Sequence, residues 1–102
     1  MGELKMVAIV IALALALAFL FGGLRPSAEE LRADHPEWSA LHCQRIADRQ
    51  IWIGMTDDQA RLSVGYPTRV NRSVGAWGVH EQWVYGYTYL YFEGGILTSW
   101  QD

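Results

Sequence analysis

The feature that most limits what this chain can fold into is an apolar segment near its N-terminus. Met6 to Phe21 is an unbroken run of 16 apolar residues, and with the three residues up to Leu24 it reaches 19 residues before Arg25. As an α-helix it would be about 28 Å long, close to the roughly 30 Å hydrocarbon thickness of a bilayer. A helix that is apolar on every face suits lipid better than the surface of a globular domain. The sequence therefore predicts a membrane-spanning helix.

Two fates are compatible with this segment: retention as an anchor, or removal as a secretory signal. A signal peptide needs small residues at the −3 and −1 positions of the cut. The one plausible cut follows Ala28 and places Pro26 at −3, which is a poor site. No cysteine stands at the end of the apolar run, so a lipoprotein anchor is not expected. We therefore expect residues 1–25 to be retained as an anchor in contact with membrane lipid.

The remainder of the chain is acidic and long enough for one domain. Residues 26–102 contain six Arg, no Lys and ten Asp or Glu residues, a formal charge near −4. Because no basic cluster is present, nucleic-acid binding lacks its electrostatic footprint, and no nucleic-acid partner is expected. Cys43 is the single cysteine, so it cannot form a disulfide within the chain.

The domain is predicted to begin with two short helices. Residues 26–36 are charged and bounded by prolines, which indicates a juxtamembrane linker with one helical turn before a domain at residues 37–102. Apolar residues at helical spacing predict a first helix from Glu37 to Arg49. A second helix is expected from Asp57 to Val64.

The second helix has the clearest boundary signals in the sequence. Thr56 is a good N-cap, and Gln59 three residues later completes a capping box. Gly65 can adopt the left-handed conformation that ends a helix, and Pro67 prevents its continuation.

Everything after Pro67 predicts β-structure. Turns are expected at Gly75–Gly78, at Gly86–Thr88 and at the Gly94-Gly95 pair. The four predicted strands are Thr68–Val74, Val79–Tyr85, Tyr89–Glu93 and Ile96–Trp100. The expected fold is therefore α+β: an N-terminal transmembrane helix, then two short helices packed on one face of an antiparallel sheet of three to four strands.

The turns also set which side chains are expected to share a face of the sheet. The Gly94-Gly95 turn pairs Glu93 with Ile96, and a three-residue loop at Gly86–Thr88 pairs Tyr85 with Tyr89. Directly paired residues share a face, so both turns give the same two sets. The more purely apolar set is expected to face the helices. Its members are Val84, Leu90, Phe92 and Leu97.

The other set is aromatic and amphipathic, and we expect it to be partly exposed and to bind a partner. The predicted interaction surface consists of Trp83, Tyr85, Tyr89, Tyr91 and Trp100. The opposite assignment, in which these aromatic side chains fill the core, remains open. In that case the binding surface would lie on the Arg69–Val74 edge or in the Gly75–Gly78 turn.

No pattern in the sequence indicates a catalytic site. His42 and Cys43 are adjacent, so on a helix their side chains point about 100° apart and are badly placed as base and nucleophile. Asp34, His35 and Glu37 suit a charged linker better than a metal site. We expect no enzymatic activity, no cofactor, no metal and no small-molecule substrate.

Capping, turn and strand residues occur in an order that resembles a known family. They are Ile53 to Thr56, Gln59, Gly65 and Pro67, then Glu81 to Tyr85, Tyr89 to Glu93, Gly95, Leu97 and Thr98. Over roughly Ile51 to Trp100 they are similar to the signature of the BamE-like (SmpA/OmlA) domain. The resemblance implies two helices packed on one face of an antiparallel sheet of three main strands. It also implies a non-catalytic role in envelope protein assembly, through contacts with other proteins.

This chain departs from the family in its anchor. The best-known member is a lipoprotein attached through an N-terminal cysteine, and no cysteine lies near the apolar run here. We therefore expect a single-pass inner-membrane protein with a periplasmic domain, rather than an outer-membrane lipoprotein.

Two functions are consistent with the sequence. The first is a membrane-tethered, non-catalytic protein-interaction module of the bacterial cell envelope that assists envelope or outer-membrane protein assembly. The alternative is an accessory structural subunit of a membrane complex, recognised through its transmembrane helix. Ala8, Ala12 and Ala16 form a row of small residues that would permit close helix contact.

Overall fold

The computed structural model describes residues 25–102, and the predicted membrane helix lies outside these residues. Among the helices it does describe, none is long and apolar enough to cross a membrane. The described part contains three helices followed by four strands. They are α1 (Ala28–Asp34), α2 (Ala40–Ala47), α3 (Asp57–Val64), β1 (Arg69–Gly75), β2 (Gly78–Tyr85), β3 (Thr88–Glu93) and β4 (Ile96–Gln101). The predicted α+β class is confirmed.

Each of the three helices begins at a hydroxyl side chain that accepts a hydrogen bond from a backbone amide. Ser27 caps α1 and Ser39 caps α2, and each accepts from the amide three residues later at 3.1 Å. At α3 the Thr56 hydroxyl accepts from the Gln59 amide, and the Gln59 side chain accepts from the Thr56 amide at 2.9 Å. The predicted capping box is therefore confirmed, and α3 has the predicted bounds. Gly65 ends α3 with φ +83°.

Residues 26–36, predicted to be a linker with one helical turn, contain more helix than that, because Ala28–Asp34 forms the seven-residue helix α1. Leu31 is the buried residue of α1, and it packs with Cys43 and Ile46 of α2. A single apolar residue among charged ones is enough to dock a helix of two turns, and such a pattern is hard to distinguish from a solvated segment. The predicted helix from Glu37 to Arg49 is also shorter, because Ser39 caps its start.

The four strands form one antiparallel sheet in the order β1-β2-β3-β4. The outer side of β4 is partly covered by the segment before α3. There the Gly54 amide donates to Leu97 and the Leu97 amide donates to Met55, both at 2.8 Å. β1, at the other edge, pairs only with β2 among the described residues. The two edges of the sheet are therefore unequal.

Two hydrophobic clusters hold the domain together. The first lies between the helices and one face of the sheet, where Met55 and Ala60 pack on side chains of the strands. These strand side chains are Trp83, Leu90, Phe92 and Leu97. The second cluster joins α1 to α2 around Cys43, and Trp52 packs against both clusters.

The predicted pairing of β2 with β3 is wrong by one residue. Tyr85 pairs with Thr88, so the turn contains only Gly86 and Tyr87. Because side chains alternate between the faces of a strand, a shift of one residue moves every side chain of β2 to the other face relative to β3. Trp83 consequently pairs with Leu90 and lies on the helix side of the sheet.

A bulge changes the pairing of β4 in the same way. Phe92 pairs with Leu97 as predicted, but Tyr91 pairs with Ser99, which leaves one extra residue in β4. Beyond the bulge Trp100 pairs with Leu90 rather than with Tyr89. Trp100 therefore also lies on the helix side.

Candidate interaction surface

The structure does not bring the five predicted aromatic residues together on one surface. Trp83 is buried, 1% exposed, and its ring centroid lies 4.3 Å from that of Phe92. The Arg61 guanidinium lies 4.9 Å from the centre of the Trp83 ring, and the indole Nε1 donates to Glu81 at 3.2 Å. The expectation that Trp83 is partly exposed is therefore wrong. It is a core residue whose polar atom is satisfied.

Tyr85 and Trp100 share the helix side with Trp83. The Tyr85 hydroxyl donates to the Gly65 carbonyl at 2.7 Å, which ties the end of β2 to the end of α3. Burial raises the pKa of Tyr85 to about 12, against the opposing positive charge of Arg61. Trp100 is partly exposed because β4 is an edge strand.

Tyr89 and Tyr91 lie on the open face, where a row of polar side chains crosses the sheet. The Asn71 amide donates to Gln82 at 2.8 Å, and Gln82 Nε2 donates to the Tyr91 hydroxyl at 3.3 Å. That hydroxyl donates in turn to Gln101 at 3.2 Å. This part of the open face therefore presents polar groups that already bond one another.

The residues considered above for catalysis or metal binding have structural partners. His42 stacks on Trp52 with ring centroids 4.5 Å apart, whereas Cys43 is fully buried. His35 stacks on Trp38 at 3.7 Å and its Nδ1 lies 3.3 Å from a Glu37 carboxylate oxygen. Within residues 25–102, no group of three or more His, Cys, Asp or Glu side chains could hold a metal ion.

Within residues 25–102 the free edge of the sheet is β1, and all seven of its residues are exposed. Val70 and Val74 pair with residues of β2 and point to the helix side, yet Val74 is 67% exposed. The helices pack over the other strands and leave these two side chains uncovered. β1 therefore offers both an unpaired backbone and exposed apolar side chains, and we call Arg69–Gly75 the β1 edge.

The β1 edge is positively charged, and an exposed tryptophan follows its last residue. Arg69 and Arg72 are its only charged residues, although residues 26–102 are acidic overall. Arg72 lies on the helix side, 3.8 Å from a Glu81 carboxylate oxygen, whereas Arg69 lies on the open side. Trp77, in the turn after β1, is exposed and covers Gly75, where an added Cβ would lie 2.5 Å from its ring.

From the sequence, the aromatic residues were the first prediction for the interaction surface, and the Arg69–Val74 edge or the Gly75–Gly78 turn was the alternative. The signal for the edge was the absence of large apolar residues in β1, which is expected of a strand that packs little of its surface.

Comparison with models of known protein families, with curated proteins and with solved structures found no match for this chain. The resemblance to the BamE-like domain thus rests on the residues named above.

Proposed function

We propose that this protein is a membrane-tethered, non-catalytic protein-interaction module of the bacterial cell envelope. Its β1 edge accepts an extended segment of a partner protein as an additional strand. The observation that carries this proposal is the free β1 edge, which is exposed over its whole length beside a well-packed core.

A free edge strand has a defined chemistry. Its unpaired amides and carbonyls form hydrogen bonds with an extended peptide, and alternate side chains of that peptide give specificity. Seven residues of strand span about 23 Å, which is room for a partner segment of comparable length. Soluble proteins usually cover or blunt such edges, because exposed edges pair with other chains.

The side chains of the β1 edge indicate which segment fits. Val70 and Val74 would contact apolar side chains on the helix side of an added strand. Arg69 and Arg72 favour carboxylates close to the same strand, since opposite charges on neighbouring strands stabilise pairing. The partner segment is therefore extended, acidic and apolar at alternate positions.

The apolar run before Arg25 supports the tether, and the resemblance to the BamE-like domain supports an envelope role. In this proposal the apolar run crosses the inner membrane once and the domain lies in the periplasm. A module of this kind binds a partner protein of an envelope assembly pathway and keeps it at the membrane, but it does not catalyse a reaction.

Hydrogen exchange of the full chain tests this proposal. The chain is compared in native membranes and after purification into lipid nanodiscs. We expect amides of Arg69–Gly75 to exchange more slowly in native membranes, while the matched edge at residues 98–101 of β4 is unchanged. Equal exchange of Arg69–Gly75 in both settings would rule out a partner strand there.

A charge variant of the β1 edge tests whether the partner segment is acidic. Arg69→Glu should abolish the protection in native membranes, whereas Arg69→Lys should retain it. Arg69 is chosen because Arg72 contacts Glu81, so a change at Arg72 would also disturb β1 itself.

A further inference from the structure

The point at which the chain enters the domain is fixed by Arg25. Its guanidinium donates to the carbonyls of Ser63 at 3.2 Å and Ile46 at 3.1 Å, and reaches that of Leu62 at 3.5 Å. These carbonyls belong to the last turns of α3 and α2, where cations bind favourably. Arg25 therefore attaches the residue after the apolar run to one end of the domain.

This end of the domain also carries the β2–β3 hairpin. Burial, and secondly the positive charge of Arg49, lowers the pKa of Arg25. Arg49 in turn lines a hollow of about 290 Å³ together with Val64, Tyr85 and Thr88. The point of attachment, the end of α3 and the β2–β3 hairpin are therefore neighbours.

Two tyrosines project from the same end. Tyr87 lies at the tip of the β2–β3 hairpin and is 93% exposed, and Tyr66 follows the C-cap of α3 and is 81% exposed. They are the two most exposed large hydrophobic side chains of residues 25–102. The bond from Tyr85 to Gly65 joins the hairpin to the segment that carries Tyr66. Nothing in the fold of the domain requires either side chain to be apolar.

Charged groups of both signs lie at this end, as they do in a zwitterionic headgroup layer. Arg49 is exposed there. Asp48 and Asp102 are carboxylates at this end: Asp48 accepts a hydrogen bond from Gln44 at 3.1 Å, and Asp102 follows Gln101, which pairs with Tyr89 next to the β2–β3 hairpin. Asp57 and Asp58 lie at the opposite end of α3.

We propose that this end of the domain rests on the membrane surface, with Tyr66, Tyr87 and Arg49 in the headgroup layer. The occupant is the bilayer because the 19-residue apolar run ends at Leu24, directly before the attached Arg25, which leaves no linker between them. Tyrosine is enriched at membrane–water interfaces, where its ring is apolar and its hydroxyl is solvated. This inference depends on the membrane tether of the proposed function, but not on the β1 edge.

Contact of Tyr87 with the lipid also determines where Trp77 and the β1 edge lie relative to the membrane. Trp77 lies at the other end of β2, about 25 Å from the β2–β3 hairpin along eight residues of strand. Contact at Tyr87 therefore points the turn at Trp77 away from the lipid and leaves the β1 edge accessible from the aqueous side.

Fluorescence quenching in vesicles tests this orientation with a matched pair of positions. The full chain carrying Tyr87→Cys or Trp77→Cys is labelled with a fluorophore; Cys43 is fully buried and does not compete for the label. Each chain is reconstituted in phosphatidylcholine vesicles that contain lipid spin-labelled at the headgroup. Circular dichroism confirms that both variants are folded.

We expect a selective loss of fluorescence at position 87, with little loss at position 77. Equal quenching at the two positions, or none at either, in chains that float with the vesicles would overturn the surface contact and leave the tether standing. Chains that fail to float would overturn the tether, and this inference with it.

Discussion

At the scale of single residues, the domain depends on side chains that satisfy backbone groups at helix ends. Thr56 and Gln59 bond each other's backbone amides at the start of α3, and Arg25 and the Tyr85 hydroxyl bond carbonyls at its end. Each bond is local in effect, but together they fix α3 between the sheet and the other two helices.

We expect Thr56→Ala to lower the free energy of unfolding by about 0.5–2 kcal/mol, because α3 loses its N-cap. Urea denaturation of the full chain in detergent measures the change. Gly65→Val should also destabilise, since a β-branched residue resists a φ of +83°. Unchanged midpoints in both variants would contradict the role given to the two ends of α3.

Tyr85 gives the domain a dependence on alkaline pH. Its pKa is raised to about 12 in the folded state from 10, so the folded chain holds a proton that the unfolded chain releases. The associated stability is fully present below pH 10 and is lost as the pH rises through about 12.

The urea midpoint should therefore fall between pH 10 and 12, and Tyr85→Phe should flatten that part of the curve relative to the parent chain. At pH 7 the same variant should cost about 0.5–1.5 kcal/mol, because the bond to Gly65 is lost. An identical alkaline fall in the two chains would show that Tyr85 does not cause it.

At the scale of elements, local signals were readable from the sequence and non-local ones were not. The bounds of α3 follow from its own caps, so the sequence predicts them correctly. The pairing of β2 with β3 depends on whether Thr88 belongs to the turn or to the strand, and the sequence allows both. The bulge opposite Tyr91 and Phe92 has no clear sequence signal either. Because the β2–β3 pairing and the β4 pairing each differ from the prediction by one residue, Trp83 and Trp100 lie on the opposite face of the sheet from Tyr91.

The candidate site could be predicted only in part, because its main feature is also non-local. A free edge is a property of the whole sheet, since it depends on which strand the helices leave uncovered. The sequence identifies Arg69–Val74 as a strand, but its isolation on one side becomes evident only from the strand order.

Tyr91 and Phe92 are neighbours in β3 that face opposite sides, which makes them a test of the sheet. Phe92→Ala should destabilise by about 3–5 kcal/mol as a large-to-small change in the core. Tyr91→Ala should cost no more than roughly 1 kcal/mol, because its side chain adds hydrogen bonds of modest net value on the open face. Urea denaturation compares the pair, and a larger cost at Tyr91 would contradict the assignment of faces.

At the scale of the whole molecule, we propose that one end of the domain contacts the membrane, the other end points away from it, and the β1 edge binds a partner. The tethered end holds Tyr66 and Tyr87 at the lipid, the far end carries Trp77, and the β1 edge runs between them. Membrane attachment and partner binding are thus assigned to separate parts of the chain and can be tested separately.

We expect the protein to remain in the membrane fraction after a carbonate wash, because the 19-residue apolar run is long enough to span the bilayer. Immunoblots of pellet and supernatant measure this, with a peripheral protein as the control. Recovery of soluble protein whose sequence begins near Glu29 would show instead that the run is a cleaved signal.

Replacing residues 6–24 with an unrelated membrane helix separates the two functions considered for this protein. We expect the hydrogen-exchange protection of the β1 edge in native membranes to survive the exchange of helices. Loss of that protection would favour an accessory subunit recognised through the row at Ala8, Ala12 and Ala16.

The most direct measurement is site-specific photo-crosslinking of the full chain in native membranes. A photoreactive residue is placed at Val74 on the β1 edge or, as the matched control, at exposed Thr98 on β4. We expect an adduct from position 74 that maps to an extended acidic segment of another protein. This adduct should be lost with Arg69→Glu, and position 98 should give none. Adducts from position 98 alone, or an adduct from position 74 unaffected by Arg69→Glu, would contradict this prediction.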